Sequence, residues 1–248
     1  MRKLMKFRSL LQEQDYNLEQ SGKGIGTVYT GVLILLMIIG YWLRIRNLGT
    51  LGLVGDEGIE ALAIQGILEH GVPIVDSGIF YGRWPLYLYI QAGFAYLFEL
   101  NEFWLRYPSV IFGVAAIVPG YYLAKTLFNR HIGLLTALIL AFSLWGIELS
   151  RYARGYTILQ FLFLISLIFF YKGFMLDRDK YKYWFLISAA FTLLTHTMSD
   201  VLILLFLIPL LAFYIPWKRR VYYGVWAAVL AGMILIKRLL FGLKPTSE

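Results

Sequence analysis

Residues 27–43, TVYTGVLILLMIIGYWL, contain no charged side chain. A run close to the ~20 residues that cross a bilayer restricts the chain severely, because lipid offers no partner to backbone N–H and C=O groups and only a helix or a closed barrel satisfies them internally. Comparable runs recur at about 107–127, 132–149, 156–176, 183–197, 201–216 and 221–238, with their few charges near the ends. Only 15% of the residues are charged, against about a quarter in soluble domains, and 59% are hydrophobic. The predicted fold class is therefore all-α: a polytopic membrane protein of about seven transmembrane helices.

Composition excludes several functions. Without cysteine, the chain has no disulfide framework, thiolate metal site or redox motif. The formal charge of +8 is spread over loops between apolar runs, which fits membrane orientation rather than nucleic acid. SGKGIG (residues 21–26) precedes a membrane run and follows no strand, so it is no phosphate loop. HExxH and internal repeats are absent.

Residues 1–26 are polar and basic and read as a cytoplasmic N-terminal segment. The first run ends in WLRIRNLG, without a small-residue cleavage site, and reads as a retained helix. One further apolar piece, 84–98 (WPLYLYIQAGFAYLF), is short for a span at about 15 residues and carries Trp84, Tyr87 and Tyr89, which suit an interface. Laying it along the outer surface leaves seven spans and puts the loops with Lys125/Arg130, Lys172/Arg178/Lys180/Lys182 and Lys218/Arg219/Arg220 on the N-terminal side, as the positive-inside rule favours. The membrane module then covers about 27–240, with 241–248 as a tail. It has one long outer loop, about 45–105, bearing two amphipathic pieces, 57–69 and 84–98, that read as interfacial helices. In the first, Ile59, Leu62, Ile67 and Leu68 form the apolar set, and Glu57, Glu60 and Glu69 the acidic one.

Asp56 and Glu57 open the first interfacial helix. Asp there can cap the helix and favour its dipole, or the pair can act as a general base or hold a divalent cation. Glu60, one turn on, either shares that site or faces water. Arg83, Arg106, Arg151 and Arg154 all fall on the outer side in this topology. Snorkelling accounts for a single arginine, whereas four suit phosphate or carboxylate oxygens. Tyr156 ends the second outer loop, SRYARGY, and His196 lies in THTMSD (195–200), four residues before Asp200. On a continuing helix that pair would share a face as metal ligands or an acid–base pair, while a helix-ending turn capped by Ser199 or Asp200 is the alternative.

In order, GDEGIEALAIQGILEHGVPIV, YGRWPLYLY, LRYPSVIFGVAAIVPGYYLAKTLF and HIGLLTALILAFSLWGIELSRYARGYTILQFLFLI resemble the membrane glycosyltransferases of the GT-C fold. The closest branch is the protein O-mannosyltransferase-like and aminoarabinose-transferase-like enzymes, within the dolichyl-phosphate-mannose-protein mannosyltransferase family. The resemblance implies transfer of a sugar from a polyprenyl-phosphate carrier to an acceptor (protein, lipid or glycan) on the extracytoplasmic face. It carries the catalytic or metal-associated carboxylate onto Asp56, with Glu57 beside it. The carrier-phosphate contact maps onto Arg83 in GRWPL, and the arginine of LRYPS onto Arg106. A Mg or Mn ion at Asp56 is the implied cofactor option. However, the second outer loop offers Arg151 and Arg154 and no acid after Glu148, a departure from members with two acids.

The expected location is a bacterial or archaeal plasma membrane, N-terminus cytoplasmic. Relatives usually continue with further spans, so the chain reads as a minimal enzyme, as one subunit of a two-part enzyme whose partner subunit supplies the missing C-terminal part, or as a fragment of a longer gene. The alternative functions are a non-catalytic carrier-binding subunit or fragment, using the same arginines, and a small-solute transporter. A transporter would place charges or broken helices near the midplane, where this chain has few.

Overall fold

The structure, a computed structural model, describes residues 26–75, 77–211 and 216–241. The expected N-terminal segment and tail lie outside these, apart from Gly26 and Phe241. Helices follow in the order α1 (Gly26–Ile45), α2 (Asp56–His70), α3 (Pro85–Leu97), α4 (Glu102–Ala115), α5 (Ile117–Leu127), α6 (Arg130–Phe142), α7 (Leu144–Ser150) and α8 (Tyr156–Phe170). A π turn (Tyr171–Met175), α9 (Asp179–Leu193), a 3₁₀ stretch (Thr197–Ile203), α10 (Leu204–Leu211) and α11 (Trp217–Phe241) complete them. The extended pairing among the described residues is an isolated antiparallel bridge between Ile74 and Phe80.

Four helical stretches are long and apolar enough to cross a membrane: Gly26–Ile45, Glu102–Leu127, Tyr156–Met175 and Trp217–Phe241. A fifth joins α6 and α7 across a 55° bend. The remaining expected spans are shorter: α9 has 15 residues, and Thr197–Leu211 also falls below membrane-crossing length. Large apolar side chains such as Val28, Ile38, Ile139 and Leu235 are exposed around these helices; such a surface is a liability in water and the normal one in lipid.

Local signals explain the starts. Asn101 and Asn129 cap α4 and α6 by accepting from Trp104 N at 3.1 Å and Ile132 N at 3.0 Å, and Ser143 accepts from Gly146 N to start α7. The α6–α7 bend frees carbonyls that an unbroken helix would use. Arg44, fully buried at the end of α1, donates to Ala141 O at 3.0 Å, Leu140 O at 2.8 Å and Ser150 Oγ at 3.1 Å. A bend inside lipid is tolerable only where such partners take up the freed groups.

Two cores determine where the site lies. Ala63, Ile64 and Ile67 of α2 pack with Leu88 and Ala92 of α3 and Leu105 of α4. Phe174, Phe185, Phe206 and Tyr223 join the π turn, α9, α10 and α11. Trp84, Tyr87 and Ile158 form a smaller cluster between α3 and α8.

The sequence left open whether Glu60 shares the site of Asp56 and Glu57 or faces water. Glu57 and Glu60 are buried, while Ile59, Leu62 and Leu68 are exposed. Those two carboxylates face the protein, where Arg106 and Arg154 meet them, whereas Glu69 is exposed and Ile67 is buried in the core.

Candidate functional site

Asp56 is not the cap of α2. The preceding residue, Gly55, has φ +57° and ψ −119°, a backbone shape suited to glycine, and no side-chain cap bond forms. Instead, Asp56 is 54% exposed and ion-paired with Arg154. Arg154 also donates from Nε to Glu60 Oε1 at 3.2 Å, and its guanidinium lies over the rings of Trp84 and Tyr156, 5.5 and 5.6 Å from their centroids. Aromatic faces on both neighbours and carboxylates at two corners fix the plane of the fork.

These groups border a cavity of about 560 Å³ lined in part by Asp56, Arg83, Trp84, Arg154, Tyr156 and His196. The far wall is the end of α11, with Lys237, Arg238 and Phe241. Asp200, on the 3₁₀ stretch, aims that wall: Lys237 Nζ and Arg238 Nη2 both donate to its carboxylate, the latter at 3.0 Å. Asp200 and His196 therefore do not work as a pair. His196 accepts from Met198 N at 2.9 Å through Nδ1, capping the 3₁₀ stretch, and its ring lies on Trp84 with centroids 4.0 Å apart. Burial and the surrounding cations, Lys237, Arg154 and Arg83, lower the pKa of His196.

Two backbone features shape the pocket. Trp84, before Pro85, has φ +54°, a conformation uncommon outside glycine that a well-packed ring can hold. At Gly155 an added Cβ would stand 2.6 Å from the Trp84 ring, and at Gly82 one would stand 2.6 Å from Phe241 O. Both approaches demand glycine.

Burial drives the Glu60 carboxyl up to about 8, and Arg154 offsets only part of that. Glu60 Oε2 is buried without a hydrogen-bond partner. Glu57 goes the other way: burial raises it, but bonds from Arg106, Ala153 N and Val54 N outweigh burial and hold it below the usual range.

Other expected site residues lie outside this cavity. Arg106 is buried and donates to Glu57 Oε1 at 2.9 Å and Oε2 at 2.7 Å, and to the carbonyls of Leu48, Leu51 and Gly52 at 3.0, 2.7 and 2.9 Å. That exhausts its five donors. Arg151 donates to Arg46 O at 2.5 Å and sits by the last turn of α1. Arg83, in contrast, is exposed at the pocket and pairs with no carboxylate among the described residues. Lys237, Arg238 and the aiming role of Asp200 were not singled out from sequence. Their one signal was a pair of cations closing an apolar run, which reads equally as membrane anchoring. Among the described residues, no group of three or more His, Asp or Glu side chains converges to hold a metal ion. The carboxylates nearest Asp56 are committed to Arg106 and Arg154, so the residues present do not by themselves build the cation site that sequence suggested.

A helical bundle with membrane-length spans defines a multi-pass membrane protein, and beside α2 it holds a charged, aromatic-lined cavity. The chain belongs to the dolichyl-phosphate-mannose-protein mannosyltransferase family, which matches residues 83–241, well over half of its length. Membership makes it a membrane glycosyltransferase by family, and the match begins at Arg83, so Asp56, Glu57 and Glu60 lie before it. No curated protein matches the chain.

Proposed function

We propose that the protein transfers a sugar from a polyprenyl-phosphate carrier to an acceptor on the extracytoplasmic face, by inverting attack with Asp56 as general base. The observation that carries this reading is a single cavity bordered by an exposed carboxylate, Asp56, and by four cations, Arg83, Arg154, Lys237 and Arg238. The acceptor hydroxyl gives its proton to the Asp56 carboxylate as its oxygen bonds to the anomeric carbon. The bond from that carbon to the phosphate oxygen breaks, and the electron pair leaves with the carrier phosphate. Arg83, exposed at the pocket, and the α11 cations stabilise that charge. Arg154 orients Asp56 through its ion pair, and Trp84 and Tyr156 offer faces for a sugar ring.

Glu57 and Arg106 act as a positioning pair that locks loop 48–54 and the 151–155 turn onto α4, and Arg151 fastens the latter to α1. The N-terminus is cytoplasmic in this reading, in a bacterial or archaeal plasma membrane. The test is sugar release from a labelled polyprenyl-phosphate-sugar pool by the purified chain and by Asp56→Asn. Release falls by about 10²–10⁴-fold in the variant, the usual weight of a general base, with the folded state intact. Full release by the variant would overturn Asp56 as base, and carrier binding without turnover in both proteins would favour a non-catalytic carrier-binding subunit.

A further inference from the structure

A cavity of about 630 Å³ lies at the other end of α1, between the first turns of α1, the end of α5 and the start of α6. Its polar lining includes Tyr29, Thr30, Tyr121, Tyr122, Lys125 and Arg130. With 20 residues in α1, rising ~1.5 Å each, this cavity opens roughly 30 Å from the catalytic pocket, at the opposite membrane face.

Among the described residues, no carboxylate lines it. Elsewhere, Lys182 is neutralised by Asp177 and Asp179, and Lys237 by Asp200. Lys125, half-buried, has no carboxylate partner among the described residues. Its ammonium lies 5.9 and 5.7 Å from the ring centroids of Tyr121 and Tyr122, and the charges that act on it, Arg130 and Lys172, are both positive. Ring faces compensate part of the lost hydration of an ammonium, but a partly desolvated cation flanked by like charges still calls for an anion. Val28 and Ile34, exposed on α1 beside the cavity, give that anion apolar surroundings suited to lipid.

We propose that Lys125, Arg130 and the surrounding tyrosines bind a phosphate group, brought either by the headgroup of an anionic phospholipid or by a free phosphate. The site is separate from the catalytic pocket and stands whether or not Asp56 is the base. Native mass spectrometry of the full chain, titrated with phosphatidylglycerol, phosphatidylcholine or inorganic phosphate, tests it. Phosphatidylglycerol binds in preference to phosphatidylcholine, Lys125→Gln weakens it about fivefold, the effect of one basic group near an anionic surface, and Lys125→Arg restores it. Binding of inorganic phosphate that is lost in Lys125→Gln supports a soluble source, and Lys125-dependent binding of phosphatidylglycerol alone supports the lipid. Equal binding of the two lipids with no phosphate bound, or binding unchanged in both Lys125→Gln and Arg130→Gln, overturns the proposal.

Discussion

Glu57 and Glu60 stand nearly a turn apart on α2, both are buried, and both meet an arginine, yet their surroundings differ completely. Glu57 receives four hydrogen bonds, two from Arg106 and one each from Ala153 N and Val54 N. Glu60 receives one, from Arg154 Nε, and its second oxygen has none. Arg106 spends every donor, while Arg154 divides itself between Glu60 and the exposed Asp56. A buried charge pair that is fully satisfied holds the loops in place and has nothing left for a ligand. One left half-satisfied beside a cavity retains the capacity to bind, orient and exchange protons.

The largest expected effect comes from breaking the closed pair. Arg106→Ala leaves the Glu57 carboxylate buried without its fork and lowers stability by about 3–5 kcal/mol, read by denaturant or thermal unfolding in detergent. Glu57→Ala does the same from the other side, and the double variant costs less than the sum of the two. An Arg106→Ala protein as stable as the parent would dissolve the distinction between the two arrangements.

Altering the open pair acts on catalysis instead. Arg154→Lys keeps a positive charge but one ammonium cannot reproduce the fork between Asp56 and Glu60 or its flat contact with Trp84 and Tyr156. Sugar transfer drops on the order of 10²-fold, as expected for a misaligned catalytic group, with little change in unfolding. Unchanged turnover would show that the fork does not orient Asp56.

The comparison is sharpened again through pH. The Glu60 carboxyl is raised from 4.5 to about 8 in the folded protein. Below pH 4.5 it is protonated in both states and contributes no slope. Between 4.5 and about 8 the unfolded chain releases the proton and the folded one keeps it, so this group's stabilisation is lost as pH rises through that window. Glu60→Gln removes that part of the slope in unfolding measurements at successive pH values. A slope identical in the variant would mean that Glu60 is ionised in the folded state.

Much of the bundle was legible in the sequence, because a membrane-length apolar run admits few backbone solutions. The runs ending near Ile45, Leu127, Met175 and Phe241 correspond to observed helices of spanning length. The 84–98 piece is the short helix α3, with Pro85 at its first turn. The runs at 183–197 and 201–216 were less legible. Helix α9 stops at Leu193, and His196 starts a 3₁₀ stretch, a break that apolar composition does not signal. Nor did hydrophobicity place the faces of α2, since periodicity separates two stripes without saying which is inside. Arg106 and Arg154 settled that by standing on the protein side.

By itself, then, the sequence determined the helical membrane architecture, the order of charged loops and the residue types available for chemistry, because these follow from hydrophobic length and local preference. It brought Asp56, Arg83, Arg154, Tyr156 and His196 forward as candidates, and they border one cavity. Only the tertiary structure decided which arginines face the pocket. Arg83, Arg106, Arg151 and Arg154 are alike in sequence, but a guanidinium has five donors, and how many remain for a ligand depends on carbonyls and carboxylates contributed from about 50 to 100 residues away in the chain. That long-range accounting, with Lys237 and Arg238 arriving from the last helix, separates the residues that hold the loops from those that face the pocket.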